Sequence, residues 1–432
     1  MAAKANGQNG LTAAQLKRPV IGRGLSSPYA PLPPTDFPSL FIGLLFQIYT
    51  IFIEPILCHL RLTRPGGFDP TYGRSKIPPN AFEKHFVLEN PKIKYRHGKT
   101  FISSKGLSKG NSWDKEGDAF VAYTTFWCPE AVAECGFTAD VVLLHGINDH
   151  GAKLAPHGHK FALAGFRVIL VDLPTFGNSS GLHAYIPSLK ILIEAVHAVL
   201  YDVRDHDLTE REGGPFVVTD TRRKLFLEGH SMGGFTALYY AALYPPATEE
   251  ELRNGGLVGN RWRPHVDGVA VAAPMIGISP ESRPSYAVEL FAKTMRFFLG
   301  RLPVASAVRG KVSDDERVET EFHLDPMTYK GRLRIATGLA ILEGLNDLQE
   351  RAELIRCPVQ FHHGDHDRAT SWKSSKEFFE RLPAEDKEYR LWSGYEHVMM
   401  KNVKGQSEAD DRKRDAVLQE ITDWLVRQAR KE

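Results

Sequence analysis

The sequence predicts an α/β protein: a mostly parallel, doubly wound sheet covered by helices on both faces, with a helical cap inserted after the strand that ends near Ala273. Three observations predict it. Short apolar runs recur along the chain at Val141–His145, Arg167–Asp172, Lys224–Glu228, Val266–Ala273 and Pro358–His362, and such near-continuous runs are strands buried on both faces of a parallel sheet. Helical stretches alternate with them, as a doubly wound sheet requires. Roughly 85 residues then separate Ala273 from Pro358, too many for a simple crossover, which predicts a cap over about 275–350.

Taken in order, residues 1–38 are polar and rich in Gly, Ala, Asn and Pro, the composition of a disordered tail. Residues 39–62 hold the most apolar stretch, Leu40–Leu60, interrupted by Gln47, Glu54-Pro55 and His59. Its uninterrupted part is about 14 residues, short of the about 20 that span a bilayer. A helix lying on a membrane or lipid-droplet surface through 40–60, or packing on the domain, is therefore expected, with a true span as the third reading. It starts too far from Met1 for an ordinary secretory signal. Basic residues flank both sides (Lys17, Arg18 and Arg23; Arg61 and Arg64), so the positive-inside rule sets no orientation. Residues 82–432 form the α/β domain. Within it Pro187–Tyr201 carries Leu189, Leu192, Ile193, Val196 and Leu200 at helical spacing, and Gly234–Tyr244 follows the third apolar run. In the cap, Tyr286–Leu302 carries Leu290, Phe291, Met295, Phe298 and Leu299, a stripe that serves core packing or lines a channel for an apolar ligand.

Composition narrows the partners. Lys+Arg 54 against Asp+Glu 52 leaves a net charge of +2 over 432 residues, and without a basic patch or tail there is no basis for nucleic-acid binding. The four cysteines (Cys58, Cys128, Cys135 and Cys357) form neither a disulfide framework nor a zinc pattern, which points to a reduced, cytosol-facing compartment. Asn178-Ser179-Ser180 matches the glycosylation sequon by chance, because it lies in a loop at the site end of the sheet.

Chemistry is expected just after the carboxyl ends of the strands. Lys224–Glu228 runs directly into Gly229-His230-Ser231-Met232-Gly233-Gly234, a G-x-S-x-G between an apolar strand and a small-residue helix. A strained strand-to-helix turn that exposes a serine brings backbone close on both sides, so Gly229 and Gly233 stand where a Cβ would not fit. Serine is a weak nucleophile until a histidine takes its proton, and that histidine needs a carboxylate to fix its tautomer. In the chain order Ser, Asp, His, Asp367 follows the strand Pro358–His362, and His397 follows the strand Glu388–Trp392. Asp365 is the rival carboxylate, with a turn-former as its other role. The group His362, His363, Asp365, His366 and Asp367 also raises a metal reading, but it has neither the HxHxDH nor the HExxH order, and no metal is expected. Two backbone N–H donors are needed for an oxyanion. Ile147, in His145-Gly146-Ile147-Asn148-Asp149-His150, and Met232, after the serine, are in position to supply them.

These residues resemble the monoacylglycerol lipase branch of the α/β-hydrolases, grouped with the serine aminopeptidase S33-like hydrolases. The resemblance runs from about Ala119 to the C-terminus. It rests on His145-Gly146-x-x-x-His150, Gly229–Gly234, Asp325-Pro326 in the cap, Gly364-Asp365-His366-Asp367-Arg368 and Tyr395-Glu396-His397-Val398. It favours Asp367, since the family's acid directly precedes the Arg-like residue. Two departures bear on substrate identity. Lys153-Leu154 stand where the family has Arg-Tyr, and Thr175-Phe176-Gly177-Asn178-Ser179 where it has Gly-His-Gly-x-Ser.

The resemblance implies an α/β-hydrolase fold, an apolar lid and hydrolysis of a lipid-like monoacyl ester, most simply a monoacylglycerol, with no cofactor. No GxGxxG follows the early strands to suggest one. Another ester, a thioester or an amide remains the alternative substrate, since the triad is shared and specificity lies in the cap. A non-catalytic binding protein on the same fold is disfavoured by the presence of serine, acid and histidine together. Together with the 40–60 helix, the lipid-ester reading places the protein at a membrane surface, of the ER or a lipid droplet, with its catalytic domain in the cytosol; a soluble cytoplasmic protein is the alternative.

Overall fold

The computed structural model describes residues 37–102, 119–209, 223–246, 248–253, 257–258, 261–277, 285–305, 311–403 and 406–431. Its centre is an eight-stranded sheet of β1 (Lys94–Ile102), β2 (Ala119–Trp127), β3 (Ala139–Leu144), β4 (Arg167–Val171), β5 (Lys224–His230), β6 (Gly268–Ala272), β7 (Val359–Gly364) and β8 (Lys387–Trp392), in the spatial order 1-2-4-3-5-6-7-8. β1 with β2 and β2 with β4 are antiparallel, and the remaining pairs are parallel. β3, β4 and β6 are buried at every residue, which is why their sequences show no alternation. The apolar runs do not announce the β1–β2 pair. β1 is an edge strand whose covered positions alternate with exposed ones, and edges favour charged residues such as Lys94, Arg96 and Lys99.

Helices α1 (Ala155–Leu163), α2 (Lys190–Thr209) and α3 (Met232–Leu243) follow β3, β4 and β5. Between β6 and β7 come α4 (Tyr286–Leu299), α5 (Glu316–Leu324) and α6 (Ile335–Glu350), then α7 (Trp372–Arg381) precedes β8 and α8 (Glu408–Arg430) closes the chain. One core layer joins the sheet to α2, α3, α6 and α7, and the opposite layer joins it to α1 and α8. The segment expected as cap over 275–350 thus contains two kinds of helix. α6 buries Ala340, Ile341, Leu345 and Leu348 in the domain core and acts as the crossover helix. α4 exposes Leu290, Phe291 and Phe298, and α5 buries no residue fully. A short pairing of Leu333–Arg334 with Pro303–Ala305 closes the base of the excursion.

The polar tail expected over 1–38 lies outside the described residues except for its end, Phe37–Pro38, which already belongs to a helix. That helix runs through Phe37–Ile48, a wide turn at Tyr49–Ile53 and Glu54–His59. Phe41–His59 is 19 residues long and, by length and composition, apolar enough to cross a membrane. Its two faces meet different surroundings. Thr50, Glu54 and Cys58, four residues apart, are buried against the domain, while Phe41, Leu44, Ile48, Phe52 and Ile56 are exposed. Glu54, at 0% exposure, accepts hydrogen bonds from the Tyr72 hydroxyl (2.8 Å), the Gly66 N–H (2.8 Å) and the Arg301 guanidinium (2.6 Å). Arg301 also donates to the Thr50 carbonyl at 2.8 Å. A buried carboxylate is tolerated when it is paired and hydrogen-bonded in this way.

Candidate active site

The candidate nucleophile sits at the junction of β5 and α3. Ser231 has φ 55° and ψ −117°, a left-handed conformation that costs a non-glycine residue on the order of 1–3 kcal/mol and persists only where the surroundings enforce it. They do so by close packing. A Cβ on Gly229 would lie 2.3 Å from the Gly233 backbone, and one on Gly233 would lie 1.9 Å from the Leu144 carbonyl oxygen. The Ser231 N–H donates to the Ala272 carbonyl at 3.1 Å, and the Ser231 carbonyl accepts from the Met275 N–H at 2.9 Å. The elbow is thereby fastened to β6.

Asp367 and His397 come together from the ends of β7 and β8. His397 Nδ1 lies 2.8 Å from Asp367 Oδ2, so Nδ1 carries the proton and Nε2 is left as the basic nitrogen. Asp367 is further held by the Ala369 and Thr370 N–H groups on Oδ1 (2.8 and 2.9 Å), and by the Thr370 hydroxyl (2.8 Å) and His363 Nε2 (3.1 Å) on Oδ2. Burial alone would raise its pKa, but the charge and hydrogen bonds of the His397 and His363 rings outweigh it and hold the carboxyl well below the usual range. Asp365 lies elsewhere: its Oδ1 accepts the Gly394 N–H at 2.7 Å and shapes the turn after β8.

The histidine-rich stretch disperses. His362 accepts the Trp392 indole N–H at 3.0 Å, His363 faces Asp367, and His366 is exposed. Among the described residues no group of three His, Cys, Asp or Glu side chains could hold a metal ion. His363 and Thr370 belong to the site but were not among the expected residues. Their only trace in sequence is spacing, four before and three after Asp367. His230 is a third addition. Its Nε2 donates to the His397 carbonyl at 2.9 Å, and burial, with the His397 ring nearby, pushes its pKa down to about 4, so it stays neutral.

Ile147 lies in the loop after β3, and Met232 is the first residue of α3, so the two expected oxyanion donors belong to two different chain segments. Gly146 brings the loop close: a Cβ there would stand 3.4 Å from the Ser231 Cβ. The loop is stapled by His145, whose ring accepts the Leu173 N–H at 3.0 Å and donates to the Gly146 carbonyl at 2.8 Å. His150 and Asp325 form an ion pair at 2.8 Å between this loop and the segment after α5. Burial disfavours a charged ring, yet Asp325 beside it pushes His150 up to about 9. Asp325 is held low against its own burial by His150 and Lys153. The Tyr329 N–H adds a bond to the Asn148 carbonyl at 2.9 Å.

Ser231, His397 and Ile147 line one cavity of about 760 Å³, walled by α5 through Val318, Phe322 and Leu324. This is large enough for a small lipid-like molecule. Of the two departures from the family pattern, Lys153-Leu154 line this cavity. The Thr175–Ser179 segment is structural instead: the Ser179 hydroxyl accepts the Ala122 N–H at 2.8 Å.

The 1-2-4-3-5-6-7-8 sheet, with a strained serine after β5 and an Asp–His pair after β7 and β8, defines the chain as an α/β-hydrolase. The model of the family described as serine aminopeptidase, S33, matches residues 137–404, more than half of the chain, and the protein belongs to that family. It is similar to monoacylglycerol lipase of Mycolicibacterium smegmatis, at 23% identity over 287 residues covering 66% of this chain and 87% of the relative. It is also similar to monoglyceride lipase of Homo sapiens, at 21% over 309 residues covering 71% and 88%. Among solved structures, a soluble variant of monoglyceride lipase from Saccharomyces cerevisiae in complex with a substrate analog superposes with a TM-score of 0.55 at 18% identity, covering 74% of this chain and 94% of that one. At that identity the likeness is one of fold. The protein is a lipase- or esterase-like ester hydrolase.

Proposed function

We propose that this protein is a serine ester hydrolase that cleaves a lipid-like monoacyl ester, most simply a monoacylglycerol. The observation that carries the reading is the enforced φ 55° of Ser231 in the same cavity as His397, whose Nδ1 is paired with Asp367. In the proposed mechanism His397 Nε2 takes the Ser231 proton as Oγ attacks the ester carbonyl. The Ile147 and Met232 N–H groups hold the oxyanion, and the protonated His397 gives its proton to the leaving alcohol. Water then hydrolyses the acyl-enzyme by the same route. Val318, Phe322 and Leu324, which line the cavity from α5 together with Glu319 and Glu321, favour a substrate with an aliphatic part, and the names of the relatives favour a monoacylglycerol. The test is a hydrolysis panel of monoacyl-, diacyl- and triacylglycerols, acyl thioesters and peptide amides. Monoacylglycerol is expected to turn over fastest, and activity confined to amides would overturn the lipid reading in favour of an amidase.

We further infer that the Phe37–His59 helix lies along a bilayer surface instead of crossing it, which places the enzyme on a membrane or lipid droplet with its catalytic domain in the cytosol. A spanning helix would put Glu54 in lipid. Here Glu54 is paired with Arg301, directly after α4, which leaves one apolar stripe of the helix facing outward, and Leu290 and Phe291 of α4 are exposed as well. Each large apolar side chain moved from water into lipid contributes about 1.5–3 kcal/mol. Replacing Leu44, Phe52 and Ile56 by Gln is therefore expected to lower flotation with phosphatidylcholine vesicles by more than about tenfold, while turnover of p-nitrophenyl butyrate stays unchanged. Undiminished flotation would count against the surface reading.

A further inference from the structure

The active-site cavity has a wall that the family domain does not supply. Residues Pro78–Phe82 line it, although the family match begins only at residue 137. The segment around them forms a strap across the domain, fastened at both ends. Before it, the buried Arg74 donates to the carbonyls of Gly177 (2.9 Å), Ser179 (2.6 Å) and Gly181 (2.9 Å). After it, Val87 is 1% exposed in the core, and the Phe86 ring packs 5.4 Å from His159 on α1. Between these anchors the Asn80 side chain caps the short Ala81–Glu83 turn by accepting the Glu83 N–H at 2.8 Å, and two prolines limit backbone freedom. The strap is thus built to hold its shape.

Its position against the rest of the site is informative. The Ala81–Glu83 turn touches the Gly151–Leu154 turn and α1. Lys153-Leu154, the departure from the family that falls on the cavity wall, lies in that turn. The strap and the departure are therefore neighbours on the cavity wall, where Lys153 Nζ also stands 5.2 Å from the centre of the Phe322 ring of α5. Phe82 is the bulky apolar group of the strap, half-buried against the core layer beneath α1.

We propose that the strap closes one end of the substrate cavity, and that Phe82 is the specificity residue that limits the length of the aliphatic chain the enzyme accepts. The inference rests on the ester-hydrolase reading above and deepens it. The chemistry concerned is a saturated chain of the ester, on its acyl or its alcohol side. Truncating Phe82 lengthens the apolar end of the cavity without touching Ser231, Asp367, His397 or the oxyanion loop.

The experiment uses the full chain and two ester series: p-nitrophenyl esters of acids from butyrate to palmitate, and butyrates of alcohols from ethyl to decyl. Phe82→Ala is expected to raise the ratio of kcat/KM for the longest against the shortest member by about tenfold in one series, and Phe82→Trp is expected to lower it. The series that moves identifies the chain that meets the strap. Labelling by a small ethyl fluorophosphonate at the wild-type rate shows that a variant is folded and its serine reactive. If Phe82→Ala does not label, Phe82→Leu, which keeps an apolar group in place, carries the test. Wild-type ratios in both series, or a shift toward shorter chains in Phe82→Ala, would overturn the proposal. A wild-type enzyme inert on every ester would instead overturn the functional reading on which it rests.

Discussion

Ser231→Ala is expected to lower kcat/KM for p-nitrophenyl butyrate by about 10⁵-fold or more and to abolish labelling by a fluorophosphonate, with thermal stability unchanged. In the proposed mechanism the variant loses the only atom that forms the acyl-enzyme, after which binding and oxyanion contacts alone remain. Stability is preserved because alanine has the same Cβ as serine. The φ 55° backbone is enforced by Gly229, Gly233 and the bonds to Ala272 and Met275, and these do not involve Oγ. Burst kinetics with p-nitrophenyl esters and a melting curve separate the chemical effect from the structural one. Residual labelling of this variant would refute Ser231 as the nucleophile.

Asp367→Asn is expected to cost about 10⁴-fold in kcat with little change in KM. Asn at this position keeps an oxygen for the Ala369 and Thr370 N–H groups but turns an N–H₂ toward His397 Nδ1 and His363. That donor fixes the wrong tautomer of His397, with the proton on Nε2 facing the serine. Raising the pH does not restore activity, since the defect is a misplaced proton and not an incomplete ionisation. The wild-type carboxylate is already charged at neutral pH, because its pKa lies below the ordinary value near 3.9. Its contribution to stability is therefore present above that value and lost on acidification. Asp365→Asn, which disturbs the turn at Gly394, is expected to keep kcat within about twofold of wild type. The ratio of the two variants measures the assignment, and a larger loss from Asp365→Asn would reverse it.

Much of the architecture was legible because its determinants are local. Runs such as Val141–Leu144 and Val168–Val171 mark strands buried on both sides wherever they occur, and a glycine two residues on either side of Ser231 marks a turn that excludes Cβ atoms. The expected chain order of serine, acid and histidine was read from strand ends in the same way. The β1–β2 pair was not legible, because an edge strand half covered by its neighbour carries the composition of a surface. Nor was the crossover role of α6, whose apolar stripe reads the same whether it covers a sheet or lines a lid.

The remaining features depend on groups far apart in the chain. Glu54 alone looks like an interruption in an apolar helix. Its partner Arg301 stands 247 residues away, and only their meeting shows that one face of the helix belongs to the domain. Likewise Arg74 reaches carbonyls more than 100 residues on and so carries Pro78–Phe82 to a cavity whose Ser231 lies in another part of the chain. Periodicity and motif report what a segment needs, namely an apolar cover, a Cβ-free turn or a partner for a charge. Which segment meets that need is a matter of packing, because a hydrogen bond or an apolar contact is satisfied by proximity in space and leaves no mark at a fixed distance along the sequence.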